Sequence, residues 1–320
     1  MFVVNVLLTD PSGPVGSALV PLLVQAGHRV TAFARSDSAI PRLQALGARC
    51  ITMDFSGGYS NDHAFRETLI GASGSVDAVI HLVASDQDES DIARCRRLDL
   101  EFTERLVEAL PACTRVVHGS SLAVLGDHRG DWIDEDTPPR PDTPHGRTAH
   151  LAEQTLLGSG LPVTTLRLGC VYGPDGLFGR LLAMLACGDG LLPRHLKRTH
   201  MGYISAEDAA RALHSALEHG RPGQTLHVAD DNPQALEDVL NMVAEVFGHS
   251  PVRFRRTALR RSRVSPGLVR ALGDSMCPCN ARLKEALGFT LRHHSIFVGL
   301  DALLRVDAFG MKSAAQADVA

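Results

Sequence analysis

Short blocks of Val, Ile and Leu alternate along this chain with longer amphipathic stretches, and the first such pair shows the pattern. Val3-Val4-Asn5-Val6-Leu7-Leu8 stops at the turn Thr9-Asp10-Pro11-Ser12-Gly13-Pro14-Val15-Gly16, and an apolar helix follows over Ser17 to Ala26. A β-branched run that breaks at a Gly/Pro/Ser turn and restarts with helical spacing predicts the opening βα unit of a doubly wound sheet. Amides at the start of such a helix face a phosphate. Gly27-His28 closes the helix, and Arg29 to Arg35 predicts a second strand. A helix through Pro41 to Leu46, a third strand over Cys50 to Asp54, a helix around Ala64 to Ile70 and a fourth strand over Val76 to Ser85 continue the alternation. After an acidic loop, Asp86 to Asp91, come a long amphipathic helix over Ile92 to Leu110 and a fifth strand from Arg115 to Gly126. A sixth strand is predicted over Val163 to Gly169 and a last one over Gln224 to Ala229, with helices over Leu177 to Cys187, near Glu237 to Phe247 and over Leu268 to Leu272.

Composition narrows the class without naming a chemistry. The 320 residues fit one large α/β unit with a smaller one appended. Apolar residues at 44% and charged residues at 21% are ordinary for a globular protein, and a net charge of −4 exerts no pull toward nucleic acid or an anionic membrane. Six arginines between Arg253 and Arg263 are read as a solvated face, because no stacking aromatics interleave them. Cysteines at 50, 95, 113, 170, 187, 277 and 279 have no paired CxxC spacing and predict reduced thiols of a cytoplasmic protein. Cys277-Pro278-Cys279 has no complementary His or Cys pair, so no metal is expected. Met1 leads into a strand with no basic leader, and no apolar run reaches the roughly 18 residues of a membrane span, so neither export nor anchoring is expected.

The letters at the strand ends resemble those of the extended short-chain dehydrogenase/reductases, the epimerase/dehydratase branch. Thr9 to Gly16 is similar to that family's T-G-x-x-G-x-x-G turn, with Gly13 and Gly16 in the second and third glycine positions and Asp10 in the first. Asp77 to Ala84 (DAVIHLVA) resembles the strand-four signature, with His81 read as a structural histidine. Ser120 to Gly126 resembles S-S-x-x-V-Y-G with Leu125 for Tyr, and His145 to Glu153 aligns with Y-G-x-S-K-x-x-x-E. Val171-Tyr172-Gly173-Pro174, His200 to Ala210 and Asn280 to Phe289 also match family letters, so the resemblance covers about residues 1–306.

The resemblance implies an α/β protein: a Rossmann-type doubly wound parallel sheet with a smaller C-terminal substrate-binding domain. Residues 1–174, completed by about 199–230, would form the dinucleotide-binding domain. Residues 175–198 and 231–310 would form the substrate-binding domain, and 311–320 a disordered tail. It implies a bound NAD(P), held at Gly13, Pro14, Val15 and Gly16, at Asp54 on the adenine side and at Val83 and Ala84 of strand four, with Ser121 as the substrate-binding hydroxyl. The expected partner is a small-molecule substrate, with no nucleic acid and no membrane, and a homodimer is left open. Where dinucleotide enzymes place an acidic residue for the 2′-hydroxyl of NAD, this chain has Ala34 followed by Arg35. A guanidinium in place of a carboxylate favours a 2′-phosphate, so NADP(H) is expected, with NAD(H) as the alternative.

The catalytic letters depart from the family. The Tyr position is His145 and the Lys position is Ala149, and the chain's only tyrosines are Tyr59, Tyr172 and Tyr203. In the family, the Tyr hydroxyl is the acid/base and the Lys lowers its pKa. An imidazole, with an unperturbed pKa of about 6.5, needs no such cation. The expected catalytic pair is therefore Ser121 orienting a substrate oxygen and His145 moving its proton, with His150 the rival histidine. The helix signature N-x-x-G-T reads Asp99-Leu100-Glu101-Phe102-Thr103 here. Asp10 either brings a carboxylate toward the pyrophosphate, a repulsion of about 3 kcal/mol at about 6 Å and an effective dielectric near 20, or supplies the positive φ of the missing glycine. Three functions follow: an NADP(H)-dependent oxidoreductase or epimerase using Ser121 and His145, a redox-inactive lyase, isomerase or cyclase on the same scaffold, or a catalytically silent dinucleotide-binding protein.

Overall fold

The structure, a computed structural model, describes residues 3–53, 67, 76–82, 84, 91–173, 178–179, 191–246, 250–255 and 266–305. Seven parallel strands form the central sheet: β1 (Asn5–Thr9), β2 (Arg29–Ala34), β3 (Arg49–Thr52), β4 (Ala78–His81), β5 (Arg115–Ser121), β6 (Val163–Leu168) and β7 (Gln224–Val228). Their order is β3-β2-β1-β4-β5-β6-β7. The chain therefore reverses direction across the sheet between β1 and β4, which opens a crevice at the carboxyl ends of these strands, the place where such sheets hold ligands.

Alternation along β1 explains why it lies at the centre. Val6 and Leu8 face a core formed with Leu19, Val20 and Leu23 of α1 (Pro14–Gln25) and with Ala209, Leu213 and Ala216 of a helix later in the chain. Leu7 faces the opposite core, with Phe33, Val79, Val116 and Phe102. A strand buried on both faces needs a continuous apolar run, each large side chain contributing roughly 1.5–3 kcal/mol. A further apolar cluster gathers Tyr172, Phe178, Leu196 and Tyr203 with Leu236, Val239 and Leu240, beside the carboxyl half of the chain.

The other helices are α2 (Ile40–Ala45), α3 (Ile92–Cys95), α4 (Phe102–Ala109), α5 (Pro144–Gly158), α6 (Ala206–His219), α7 (Leu236–Val246), α8 (Pro266–Ala271), α9 (Ala281–Leu287) and α10 (Ile296–Arg305). The expected long helix over 92–110 is present, but its middle, Arg96–Glu101, is wound as a π-helix between α3 and α4. Such turns are frequent at functional sites. The first helix starts at Pro14, three residues before the expected Ser17, because proline's fixed φ suits the first helical position and its missing N–H costs nothing there. The fifth strand ends at Ser121 instead of Gly126, because the Ser121 hydroxyl accepts from the Ala123 amide at 3.2 Å and starts a tight turn over Leu122–Val124. His81 is buried, with its ring nitrogens 2.9 Å from the hydroxyls of Thr9 and Thr103, the arrangement of a structural histidine.

A buried ionic bracket ties α5 to the sheet. Glu153 accepts from Arg167 Nε at 3.0 Å and Nη2 at 2.8 Å, and from the Ser120 hydroxyl at 2.6 Å. Ser120 belongs to β5 and Arg167 to β6, so this carboxylate fixes the helix against two neighbouring strands.

Asp54 and Val83, expected at the cofactor, lie outside the described residues. So do the tail at 311–320, Cys187, all but Glu67 of the helix expected over 64–70, all but 178–179 of the helix expected over 177–187, and most of the arginine run. Among the described residues the six cysteines at 50, 95, 113, 170, 277 and 279 are free thiols, and no helix is long and apolar enough to cross a membrane.

Candidate functional site

The turn after β1 has the form of a diphosphate cradle. Gly13 caps α1 with φ −77° and ψ 175°, makes no side-chain cap, and is followed by Pro14, which has no N–H, and by Val15 and Gly16. No acidic residue stands in the first turn of α1. Gly16 is obligatory: a Cβ there would come within 2.3 Å of the Pro11 Cα. A Cβ on Gly13 would meet nothing within 4 Å, so the turn is open at this residue. Asp10 has φ 49°, the left-handed backbone that the family's first glycine would provide. Of the two roles open to Asp10, the structure has the second, and asparagine and aspartate tolerate this region better than most residues.

The Asp10 side chain also has a partner that pairs two departures from the family pattern. Its carboxylate accepts from Arg35 Nε and from the Ser12 hydroxyl, and Arg35 Nη2 donates to the Ala84 carbonyl at 2.6 Å. Arg35 follows directly on β2 instead of ending it. Its guanidinium thus bridges the β1 turn and the end of β4, and it neutralises the carboxylate that would otherwise repel a pyrophosphate.

At the carboxyl end of β5 and β6 lies a cavity. Its polar lining includes Ser121, Thr143, His145 and Asp274, and its apolar lining includes Leu122, Leu168, Met201 and Met276. Ser121 and His145, expected to act as a pair, therefore open onto one space. His150, five residues further on in α5, is not among its lining residues. Three local features place His145. Thr143 caps α5 by accepting from the Gly146 amide at 3.0 Å, Pro144 occupies the first turn, and Gly146 packs against the turn after β5. Any side chain at Gly146 would come within 2.3 Å of the Ala123 carbonyl oxygen. Only glycine lets α5 approach the Ser121 turn so closely.

His145 Nδ1 lies 3.8 Å from Oδ2 of Asp99, a carboxylate buried in the π-helical turn that also accepts from the Thr148 hydroxyl. The His145 side chain is itself buried. The arrangement is a carboxylate behind an imidazole, with a hydroxyl-bearing cavity in front. Ala149, in the family's Lys position, is buried at 7% exposure and contributes no cation.

Asp99 and Asp274 were not among the expected site residues. Asp99 was visible as a carboxylate in place of the signature Asn. Asp274 gave no local signal, since Gly-Asp-Ser reads as an ordinary loop. In the cavity wall its carboxyl is pushed up to about 7 by burial, then by the charges of Asp142 and Asp127 and by a hydrogen bond with Asp142. Asp230, just past β7, is pushed up to about 8 by burial. Burial drives histidines the other way: His227 falls to about 3, helped by the charge of Arg167, and His118, His81 and His214 are also lowered. Histidines with depressed folded pKa values lose stability as pH falls below their unfolded value of about 6.5. Carboxyls with raised folded pKa values lose it as pH rises from about 4 through their folded values. Stability should therefore peak near roughly pH 6.5, and calorimetric melts across the pH range should show this maximum. His227→Gln should flatten the acid side, and a melting temperature that climbs steadily from acid to pH 9 would contradict the assignment.

Comparison with known proteins bears on the family and the fold. The family model described as "NAD dependent epimerase/dehydratase family" matches residues 6–229. The 3-diazoavenalumate denitrifying reductase of a Streptomyces species is 29% identical over 320 residues, covering 92% of this chain and 99% of that protein. A 4-hydroxy-2-methyl-3-oxo-4-farnesyl-3,4-dihydroquinoline-1-oxide ketoreductase of Stigmatella aurantiaca is 28% identical over 254 residues, covering 75% and 72%. Among solved structures, MoeE5 in complex with UDP-glucose and NAD superposes with a TM-score of 0.76 at 25% identity, covering 98% of this chain and 99% of that one.

Proposed function

We propose, on the premise that this chain belongs to the NAD-dependent epimerase/dehydratase family of oxidoreductases and epimerases, that it is an NADP(H)-dependent reductase of a small organic molecule. The observation that carries the reading is the meeting of Ser121 and His145 in one cavity at the carboxyl edge of the sheet, with the Asp99 carboxylate behind the imidazole. The relatives named as reductases support reduction over epimerisation. Residues 1–174, completed by about 199–230, would hold the dinucleotide, and residues 175–198 and 231–310 would select the substrate.

The turn residues fit the cofactor: first-turn amides, an open Gly13 and a neutralised Asp10. Gly13, Pro14, Val15, Gly16, Arg35 and Ala84 would hold it, together with Asp54 and Val83. A reduced nicotinamide supplies a hydride when bound. This chain's residues do the rest. The Ser121 hydroxyl orients a substrate oxygen, and His145 Nε2 delivers the proton that oxygen takes up. The apolar wall of Leu122, Leu168, Met201 and Met276 excludes water from the reacting carbon. A second reading, acid–base chemistry without redox change, is favoured by Ala149, because the family's Lys position carries no cation here.

Calorimetric titration of the purified protein with NADPH and NADH, followed by turnover with a ketone and an aryl diazonium compound, tests the proposal. Tighter binding of NADPH is expected, since the Arg35 guanidinium can reach a 2′-phosphate while its Nε stays on Asp10. Arg35→Ala should erase most of the preference, roughly 1.5–3 kcal/mol or about tenfold to a hundredfold. Tighter binding of NADH would overturn the cofactor assignment. A dinucleotide that binds without any hydride transfer would favour the second reading.

A further inference from the structure

The amino ends of the strands, at the opposite edge of the sheet from the candidate site, carry a group of side chains that the proposed reduction does not use. His28 immediately precedes β2 and is 7% exposed, yet both of its ring nitrogens are buried without a hydrogen-bond partner. His214 and Glu218 project from one face of α6, four residues apart. His214 Nε2 is buried and likewise without a hydrogen-bond partner, and lies 3.9 Å from a Glu218 carboxylate oxygen. The rings of His28 and His214 have centroids 5.8 Å apart. One ligand atom from each of the three residues can be chosen so that all lie within 4.8 Å of one another.

We propose that His28, His214 and Glu218 form a binding site for a divalent first-row cation, with Zn²⁺ the best-matched ion. Two imidazole nitrogens and one carboxylate oxygen are a familiar three-ligand set for zinc, with water completing the tetrahedron. Bonds of about 2.0–2.1 Å place tetrahedral ligand atoms about 3.3 Å apart, so side-chain rotations of roughly 1 Å would close the present triad. Ligation would satisfy nitrogens that are now buried without partners, a burial that otherwise carries a desolvation cost. Burial lowers the pKa of His214 and favours the neutral imidazole that a metal requires.

An ion has a route in. An open cleft reaches His28, Glu218 and His219, with Asp77 and Arg115 on its walls. The cation on that wall is turned away from the triad's role, since Arg115 Nη1 donates to the Leu217 carbonyl at 2.6 Å. His219 Nε2 stands 3.8 Å from the second Glu218 oxygen, within reach of an outer-shell contact. A bound ion would clasp the start of β2 to the last turn of α6, two elements whose helices already share one core. Its effect would be on stability, far from the reduction chemistry.

The test is calorimetric titration of the EDTA-treated full-length protein with ZnCl₂, with Co²⁺ titration read by its visible absorption. The expected result is saturable binding of about one equivalent, a rise in melting temperature with Zn²⁺, and tetrahedral Co²⁺ bands. His214→Ala and Glu218→Gln, at partly exposed positions, should each weaken binding at least tenfold while melting like the parent in EDTA. Absence of saturable binding would overturn the proposal. So would binding that both variants leave unchanged, since the ion would then be held elsewhere.

Discussion

Replacing His145 with alanine should lower turnover of a ketone substrate by about 100-fold or more, the usual worth of a positioned acid/base. The expectation rests on geometry: His145 opens onto the same cavity as Ser121, with the Asp99 carboxylate behind its ring. The loss should fall mainly on kcat, because a proton delivered as the bond forms stabilises the transition state more than the bound substrate. Turnover of the parent should follow a pH profile, as acid–base catalysis requires. Asp99 acts through His145, so Asp99→Asn should move that pH profile while leaving dinucleotide binding unchanged. An aryl diazonium substrate offers a useful contrast: hydride replaces dinitrogen at the ring carbon, the cation and the hydride giving a neutral arene and N₂ with no proton taken up, so its reduction should survive His145→Ala. Should His145→Ala reduce the ketone as fast as the parent while His150→Ala is inactive, the assignment of the acid/base within α5 would be wrong.

Glu153→Ala should destabilise the fold by about 3–5 kcal/mol, the cost of leaving a buried partner charge uncompensated. Glu153 and Arg167 have side chains only 2% and 8% exposed and are joined by two hydrogen bonds, while Ser120 adds a third. For a chain of this size, thermal melts should show a drop of roughly 10 °C. The paired change Glu153→Leu with Arg167→Met should recover most of it, because removing both charges leaves no unpaired ion. A single variant that melts like the parent would mean that water reaches Arg167. Glu153 sits two turns along α5 from His145, so the same variant should also loosen the acid/base and reduce turnover beyond its loss of folded protein.

Much of the site was legible in the letters, and the reason differs from residue to residue. Gly16 and Gly146 are demanded by backbone contacts that no other residue permits, so their positions carry the same meaning in the sequence as in space. Ser121 and His145 are 24 residues apart in the chain, and only family register linked them before the cavity showed them on one wall. Arg35 illustrates the reverse. Its charge was read as a 2′-phosphate contact, whereas the structure pairs it with Asp10, a residue 25 positions earlier that had been read as a separate departure. Neither letter alone discloses a pair made by two neighbouring strands lying in register.

The sequence by itself determined the parallel sheet, because strands buried on both faces require unbroken runs such as Val6-Leu7-Leu8 and these recur between amphipathic helices. It also determined the glycine turn and the absence of the tyrosine–lysine pair, which are properties of composition and spacing. Tertiary structure alone decided that Asp99 stands behind His145, that Asp274 lines the same cavity with its carboxyl near its midpoint at neutral pH, and that His28 meets His214 and Glu218 at the far edge. Those encounters join segments up to about 190 residues apart, and they depend on the order in which strands stack and on how far burial strips water from a charge. Neither quantity is written in any local stretch of the chain.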